Sequence, residues 1–318
     1  MEKVFASVRF SSPLLGCSSP HLAKPLSVSR NIMKRLGKIN ISFLMAILGL
    51  STLNAQNYFD YYNQSNKGDS LRFYNQNEDA LRNYETAFET VNFVHSDKLI
   101  NAGLTAVKLH QFEKANSYFE AAITQSNNKS FLTMKEFKRN KNKFKTLSNK
   151  IPALEKIFED RINKIYKSEI DSLYLIDQNS RGKKQSTEKI DDSNFAHLLS
   201  LIDEFGFPSE EKVGYESYKR ARIILHHNLR LVKNEKYLKK FFEKYVINGE
   251  YRPEDYAWTL EQNLVWYNKS EPEYYFLILP TKNLTVEQKI AINSKRRKIG
   301  LKPIEAYKEG NNSFTPIW

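Results

Sequence analysis

Leu99-Ile-Asn-Ala-Gly-Leu-Thr-Ala-Val-Lys-Leu-His-Gln-Phe-Glu-Lys-Ala-Asn-Ser-Tyr-Phe-Glu-Ala-Ala122 decides how this chain folds. Leu99, Ala102, Gly103 and Ala106 recur at spacings of three and four, so they line one face of a helix. Ala115, Phe119 and Ala122 do the same on the next helix. Small residues flanking an aromatic mark a place where a second helix comes close. The stretch therefore reads as two helices joined by a tight turn. The whole composition agrees, because the chain has only 11 Gly and 10 Pro in 318 residues. Alternating Val, Ile and Thr, the mark of sheet, is scarce. With 41% hydrophobic and 13% aromatic residues the chain can build a core, which excludes disorder throughout. An all-α fold is expected, with Tyr274–Leu279 as the one short extended segment.

The triplet of small, aromatic and small residues occurs again as Ala80, Tyr84 and Ala87, 35 residues earlier. This period and pattern resemble the tetratricopeptide repeat, although in the first unit only the second helix matches. Repeats of that type resemble peptide-binding scaffolds. They usually need about three units to share a core, and two make a poor groove. The hairpins of residues 57–130 are therefore expected to play a structural part and to pack against a C-terminal multi-helix domain, residues 151–318. Residues 131–150 read as a basic linker or helix.

Lys34, Arg35 and Lys38 precede an apolar run from Ile41 to Leu53, followed by Asn54-Ala55-Gln56. Charged, apolar and small-residue parts in that order predict a secretory signal over residues 33–55, cleaved after Ala55. Export, to the periplasm or outside the cell, is the expected destination. The run is too short to span a bilayer, so no stable membrane span is expected in the mature chain. Met33 stands directly before the charges, so residues 1–32 read as a misread start or a disordered extension. They hold Cys17, the one cysteine, and a mature chain of this size needs no disulfide. Residues 1–55 carry seven Lys or Arg and one Glu, which lowers the formal charge from +13 to +7. Most of that excess sits in Lys135–Lys145. A basic run can grip phosphates, but export away from nucleic acid favours a solvated face, with anionic lipid or envelope polymers as the other contact.

Farther on, Pro152 is expected to open a long helix with Leu154, Ile157, Phe158, Ile162 and Ile165 in its stripe. Gly182–Ser193 reads as turns. Helices are predicted over Phe195–Phe205, Tyr215–Val232, Glu235–Ile247 (capped by Asn234) and Glu254–Tyr267. Thr285-Val-Glu-Gln288 forms a capping box for a last helix that runs to Lys298 and stops at Gly300.

One helix carries the expected site. Its apolar residues Ile170, Leu173 and Tyr174 run, at helical spacing, into Asp177, Gln178 and Arg181. Turning a carboxylate, an amide and a guanidinium inward is costly unless they pair or bind something. Asp192 and Asn194 follow. Adjacent helical residues point about 100° apart, so His226 and His227 cannot share a site. His226 lies between Arg222 and Arg230 and reads as wet, while His227, among Ile223, Ile224 and Leu231, reads as inward.

This string, with Gly206-Phe-Pro208, Val213-Gly214, Tyr256-Ala257-x-x-Leu260 and Arg296-Arg297-Lys-Ile-Gly300, resembles domain of unknown function 6624 over roughly Ile165–Tyr307. The resemblance implies an exported protein with tetratricopeptide-like helices in front. It supplies a location and no reaction. Where the family pattern has an Asp-Arg pair, this chain has Glu261-Gln262. Where the family has Gln-x-Tyr-Gly-Thr, it reads Glu273-Tyr274-Tyr275-Phe276. An arginine lost removes a bidentate donor, and Phe for Gly fills space. The candidate pocket thus comprises Asp177, Gln178, Arg181, Asp192, Asn194, His227, Glu261, Glu273 and Tyr275, with no catalytic residue assigned.

No cofactor or metal is expected, since ligand spacing for zinc is lacking and the mature chain has no cysteine. Gly-x-Ser-x-Gly and a glycine-rich phosphate loop are also missing from the sequence. Two readings stay open. One is a non-catalytic protein that binds an unknown protein or small molecule at Asp177, Arg181 and His227. The other is a hydrolase with His227 as general base and Asp177 orienting it.

Overall fold

A computed structural model describes residues 57–181, 187–227, 235–267, 273–274 and 284–304. These belong to a single compact unit, Asn54–Trp318. The all-α expectation holds, because the described residues form helices and no strand. Of the expected extended segment, Tyr274 is a bend and residues 275–279 lie outside the described residues. The proposed signal and everything before it lie outside them too.

Two hairpins come first. Helix α1 (Tyr58–Phe73) pairs with α2 (Asn77–Phe88), and α3 (Ser96–Lys108) with α4 (Phe112–Ser126). Ala80, Tyr84, Ala87, Ala115, Phe119 and Ala122 are all fully buried. A Cβ added at Gly103 would lie 2.5 Å from the Phe119 ring, so only glycine lets α3 and α4 close. The first hairpin repeats the device: Gly68 faces the Tyr84 ring at the same 35-residue offset. In the first hairpin Gly68 thus plays the part that Gly103 plays in the second. Gly103→Ala is expected to cost about 1–3 kcal/mol through overpacking, read from the midpoint of urea unfolding.

The basic segment, expected as a linker or helix, is partly helical with its cations exposed, and it also carries rings into the core. A 3-10 turn (Ser130–Thr133), α5 (Lys135–Arg139) and a second 3-10 turn (Lys141–Phe144) drive Phe131, Phe137 and Phe144 onto Phe119. All three rings are buried, so the segment completes the N-terminal core. The alternation of Lys with Phe hides this, because the short elements have no single period. Helix α6 (Lys145–Arg161) follows, and Pro152 sits inside it rather than opening it. Leu147, five residues before the proline, is held in the aromatic cluster, which starts the helix early. The expected long stripe also breaks. The chain turns extended at Ile162, Asn163 caps a new helix by accepting from the Tyr166 amide at 3.0 Å, and Ile157 and Ile165 face solvent.

The C-terminal half packs α7 (Lys164–Arg181), α8 (Glu188–Phe205), the single turn α9 (Glu210–Val213), α10 (Tyr215–His227), α11 (Glu235–Ile247) and α12 (Pro253–Glu261) around a second core. A π-helical stretch, Gln262–Tyr267, prolongs α12, and α13 (Val286–Lys298) carries the expected capping box at Thr285 and Gln288. Helix α8 starts seven residues before the expected Phe195. Helix α10 is described to His227, so its expected end at Val232 and the cap at Asn234 lie outside the described residues.

The two cores meet across a polar seam. Asp69 pairs with Lys98 at 2.6 Å and Lys302 at 2.8 Å, and Asn66 donates to the Gly300 carbonyl at 2.7 Å. Gly300 takes a left-handed φ of 80° against the Tyr62 ring, where a side chain would clash. Buried Glu210 accepts from the Ser96 amide at 3.1 Å and from the Ser96 hydroxyl, and pairs with Arg252. Arg252 also reaches Asp97 at 3.3 Å.

Candidate functional site

The inward row of α7 is Tyr166, Ile170, Leu173, Asp177 and Ser180, a four-three repeat. Asp177 is where the row turns polar, and it is fully buried. Its Oδ1 accepts from the Arg181 guanidinium at 2.7 Å and contacts His227 Nδ1 at 2.9 Å. Its Oδ2 accepts from the Gln178 amide at 2.7 Å. Burial alone would raise the Asp177 pKa, but the bonds from His227 and Arg181 outweigh it and hold the carboxyl below its usual range. Three of the expected residues thus meet Asp177, from α7 and α10.

Arg181 and Gln178 do not point inward as expected. Both stand at the flank of the row, and Gln178 is exposed, reaching back only with its amide. Arg181 uses its fork to bridge two carboxylates: Asp177 and, through two contacts, Asp191. A bridging guanidinium needs two acids, and the second is Asp191 rather than the expected Asp192. Asp192 faces solvent, whereas Asp191 is buried. The early start of α8 explains this, because Asp191, Asn194, Leu198, Leu201 and Ile202 then form one inward stripe. That spacing is present in the sequence and was hidden by reading Gly182–Ser193 as turns. Asn194 is buried but ties helix to helix, donating to the Leu173 carbonyl at 3.3 Å.

The histidines are reversed in burial. His226 is the buried one, edge-on against the Trp258 indole, and His227 is 31% exposed. The Arg222 row is not wet, because Arg222 is largely covered where it pairs with Asp255 on α12. Burial, then the Arg222 charge, pushes the His226 pKa well below 6.5, so it stays neutral. His227 nonetheless reaches Asp177.

The described contacts of Glu261 and Glu273 lead to a second cluster. Glu261 is fully buried and accepts from the Tyr274 amide at 2.6 Å, while Arg296 Nη1 donates to the Tyr274 carbonyl at 2.5 Å. Glu273 pairs with Lys239 at 2.5 Å. Tyr275 lies outside the described residues. Arg296, buried though it belongs to a run of four cations, stands in a motif that carries the resemblance but not among the expected pocket residues; Glu210, Arg252 and Asp255 stand in neither. A cavity of about 230 Å³ lies elsewhere, lined by Tyr58, Phe93, Ser209, Glu211, Asn248, Gly249 and Glu250, and shares no residue with the expected pocket.

Among the described residues no group of three or more His, Cys, Asp or Glu could hold a metal ion, and no helix is long and apolar enough to cross a membrane. The site can present donors: a guanidinium, an imidazole and an amide, each positioned by a buried acid. In comparisons with known proteins, no family model, curated protein or solved structure matches the chain.

Proposed function

We propose that this is an exported, non-catalytic binding protein related to domain of unknown function 6624, with tetratricopeptide-like hairpins as its scaffold. The ligand, a small molecule or protein segment bearing carboxylate or carbonyl oxygens, meets Arg181, His227 and Gln178. One observation carries the reading. Two buried carboxylates, Asp177 and Asp191, hold the partly exposed Arg181 guanidinium in place, so its positive charge is positioned before any ligand arrives. In a base dyad the aspartate would serve the imidazole alone. Here the same Oδ1 already serves a guanidinium, so part of its charge is committed. Glu261-Gln262 and Glu273–Phe276, the departures from the family pattern, support the same reading.

A thermal-shift screen of small carboxylates and peptides tests it. A binder should raise the melting temperature of the wild type, and Gln178→Ala, an exposed change, should weaken that rise. A library that never shifts the melt would defeat the proposal. Export is checked by sequencing the N terminus of the secreted chain, which should begin at Gln56.

The contact between His227 and Asp177 at 2.9 Å favours a second reading, a hydrolase with His227 as general base. His227→Ala is expected to cost about 1–3 kcal/mol, because it strips one donor from a buried carboxylate. Denaturant melts measure that cost, and turnover of ester and phosphoester panels by both proteins separates the readings. Turnover that vanishes with the imidazole would establish the hydrolase.

A further inference from the structure

We propose that the cationic face of Lys135, Lys138, Arg139, Lys141, Lys143 and Lys145 docks this protein onto an anionic phospholipid bilayer. The argument starts from side-chain direction. In α5, Lys135, Lys138 and Arg139 stand three and four apart and share one face, while Phe137 points the other way into the core. The following 3-10 turn repeats this, burying Phe144 and leaving Lys141 and Lys143 outside. All six cations are exposed, and the buried rings of Phe131, Phe137 and Phe144 hold their backbone in place.

The face is also unneutralised. Nearby Lys129 and Lys150 pair with Glu155 and Glu120, yet among the described residues none of the six cations meets a carboxylate. Lys143 instead lies over the Phe112 ring at 5.7 Å. Glu136 is the only acid within the run, and it is half-buried. The fold needs only the aromatic residues at these positions, so concentrating like charges on the exposed side of this segment gains nothing for folding. Self-repulsion disfavours the arrangement unless an anionic partner takes up the field.

The chemistry selects the kind of partner. Five of the six are lysines, compact point charges suited to a diffuse plane of headgroups, whereas bidentate recognition of single phosphates favours arginine. Single-stranded nucleic acid needs exposed rings for stacking, and every aromatic residue between 130 and 150 is buried. A bilayer rich in acidic lipid fits both observations.

The test is co-sedimentation of the full chain with vesicles of pure phosphatidylcholine and with vesicles containing roughly 30% phosphatidylglycerol, at about 50 and 300 mM salt. Taking the difference between the two vesicle types isolates the electrostatic part from any contribution of the N-terminal apolar run. Acidic vesicles should bind at least about tenfold more protein at low salt, and raising the salt should remove most of that gain. The triple variant Lys138→Glu, Lys141→Glu, Lys143→Glu should lose the gain while melting like the wild type, because all three side chains are exposed. A control with the same charge change on α13, Lys295→Glu, Arg297→Glu, Lys298→Glu, should keep it within about twofold. Equal loss in both variants would mean that net charge alone acts, and the proposal would fall. It would also fall if the wild type showed no preference for acidic vesicles, or if duplex DNA at equal phosphate stripped the protein from them.

Discussion

Glu210→Ala will destabilise the fold by about 3–5 kcal/mol, because it removes one partner of a buried ion pair and strands the other. Among the described residues Arg252 keeps the half-exposed Asp97 as its one acid, and the Ser96 amide and hydroxyl lose their acceptor between two cores. For a domain of this size the loss corresponds to a fall in Tm on the order of 10 °C. The effect has a pH signature. Burial acts to raise the Glu210 pKa, but Arg252, His95 and Ser96 prevail and hold it far below its ordinary 4.5. Between that ordinary value and the depressed one, the unfolded chain binds the proton and the folded chain does not. The stabilisation is therefore complete above about pH 4.5 and drains away as the pH falls toward the folded value. In denaturant titrations the gap between wild type and variant should hold from pH 6 down to about pH 4.5 and then shrink as the pH falls to 3. A gap that stayed constant would show that Glu210 contributes volume rather than charge.

The second large effect is expected at Asp177. Asp177→Ala removes the acceptor for Arg181, His227 and Gln178 together, and should cost about 3–5 kcal/mol. Arg181→Ala should cost less, about 1–3 kcal/mol, because the guanidinium is partly exposed and Asp177 keeps His227 and Gln178. The double variant tests the coupling. If Arg181 and Asp177 act through one network, the double loss falls short of the sum of the single losses by at least about 0.5 kcal/mol. Additive losses would mean that Arg181 works chiefly through Asp191, and the donor array offered to a ligand would then be anchored by one acid instead of two.

Within the candidate site, the residues legible in the sequence were those whose signal is periodic. Asp177 follows Ile170 and Leu173 at helical spacing, and that was enough to place a buried carboxylate. Asp191 obeyed the same rule but sat in a segment whose polarity disguised a helix start. His226 and His227 were assigned by the charge of their neighbours, and that signal misled, because a buried Asp255 on another helix cancels Arg222. Glu261 came from a departure in a family pattern, and its role as acceptor for the Tyr274 amide could not be read from spacing.

The sequence by itself determined the helices, the hairpins closed by Gly103 on Phe119, the capping box at Thr285 and the buried acid at 177. All of these follow from periodic spacing along single helices or from the meeting of two helices consecutive in the chain. Only the tertiary structure decided that the basic segment is a folded plate, that Pro152 lies inside a helix, that Asp191 completes the Arg181 bridge, and that Glu210 joins the two cores. Each of those depends on a partner 10 to 114 residues away, or on an aromatic cluster assembled from several short elements. A charge reveals whether it is wet or buried only when the group that neutralises it arrives from elsewhere in the chain.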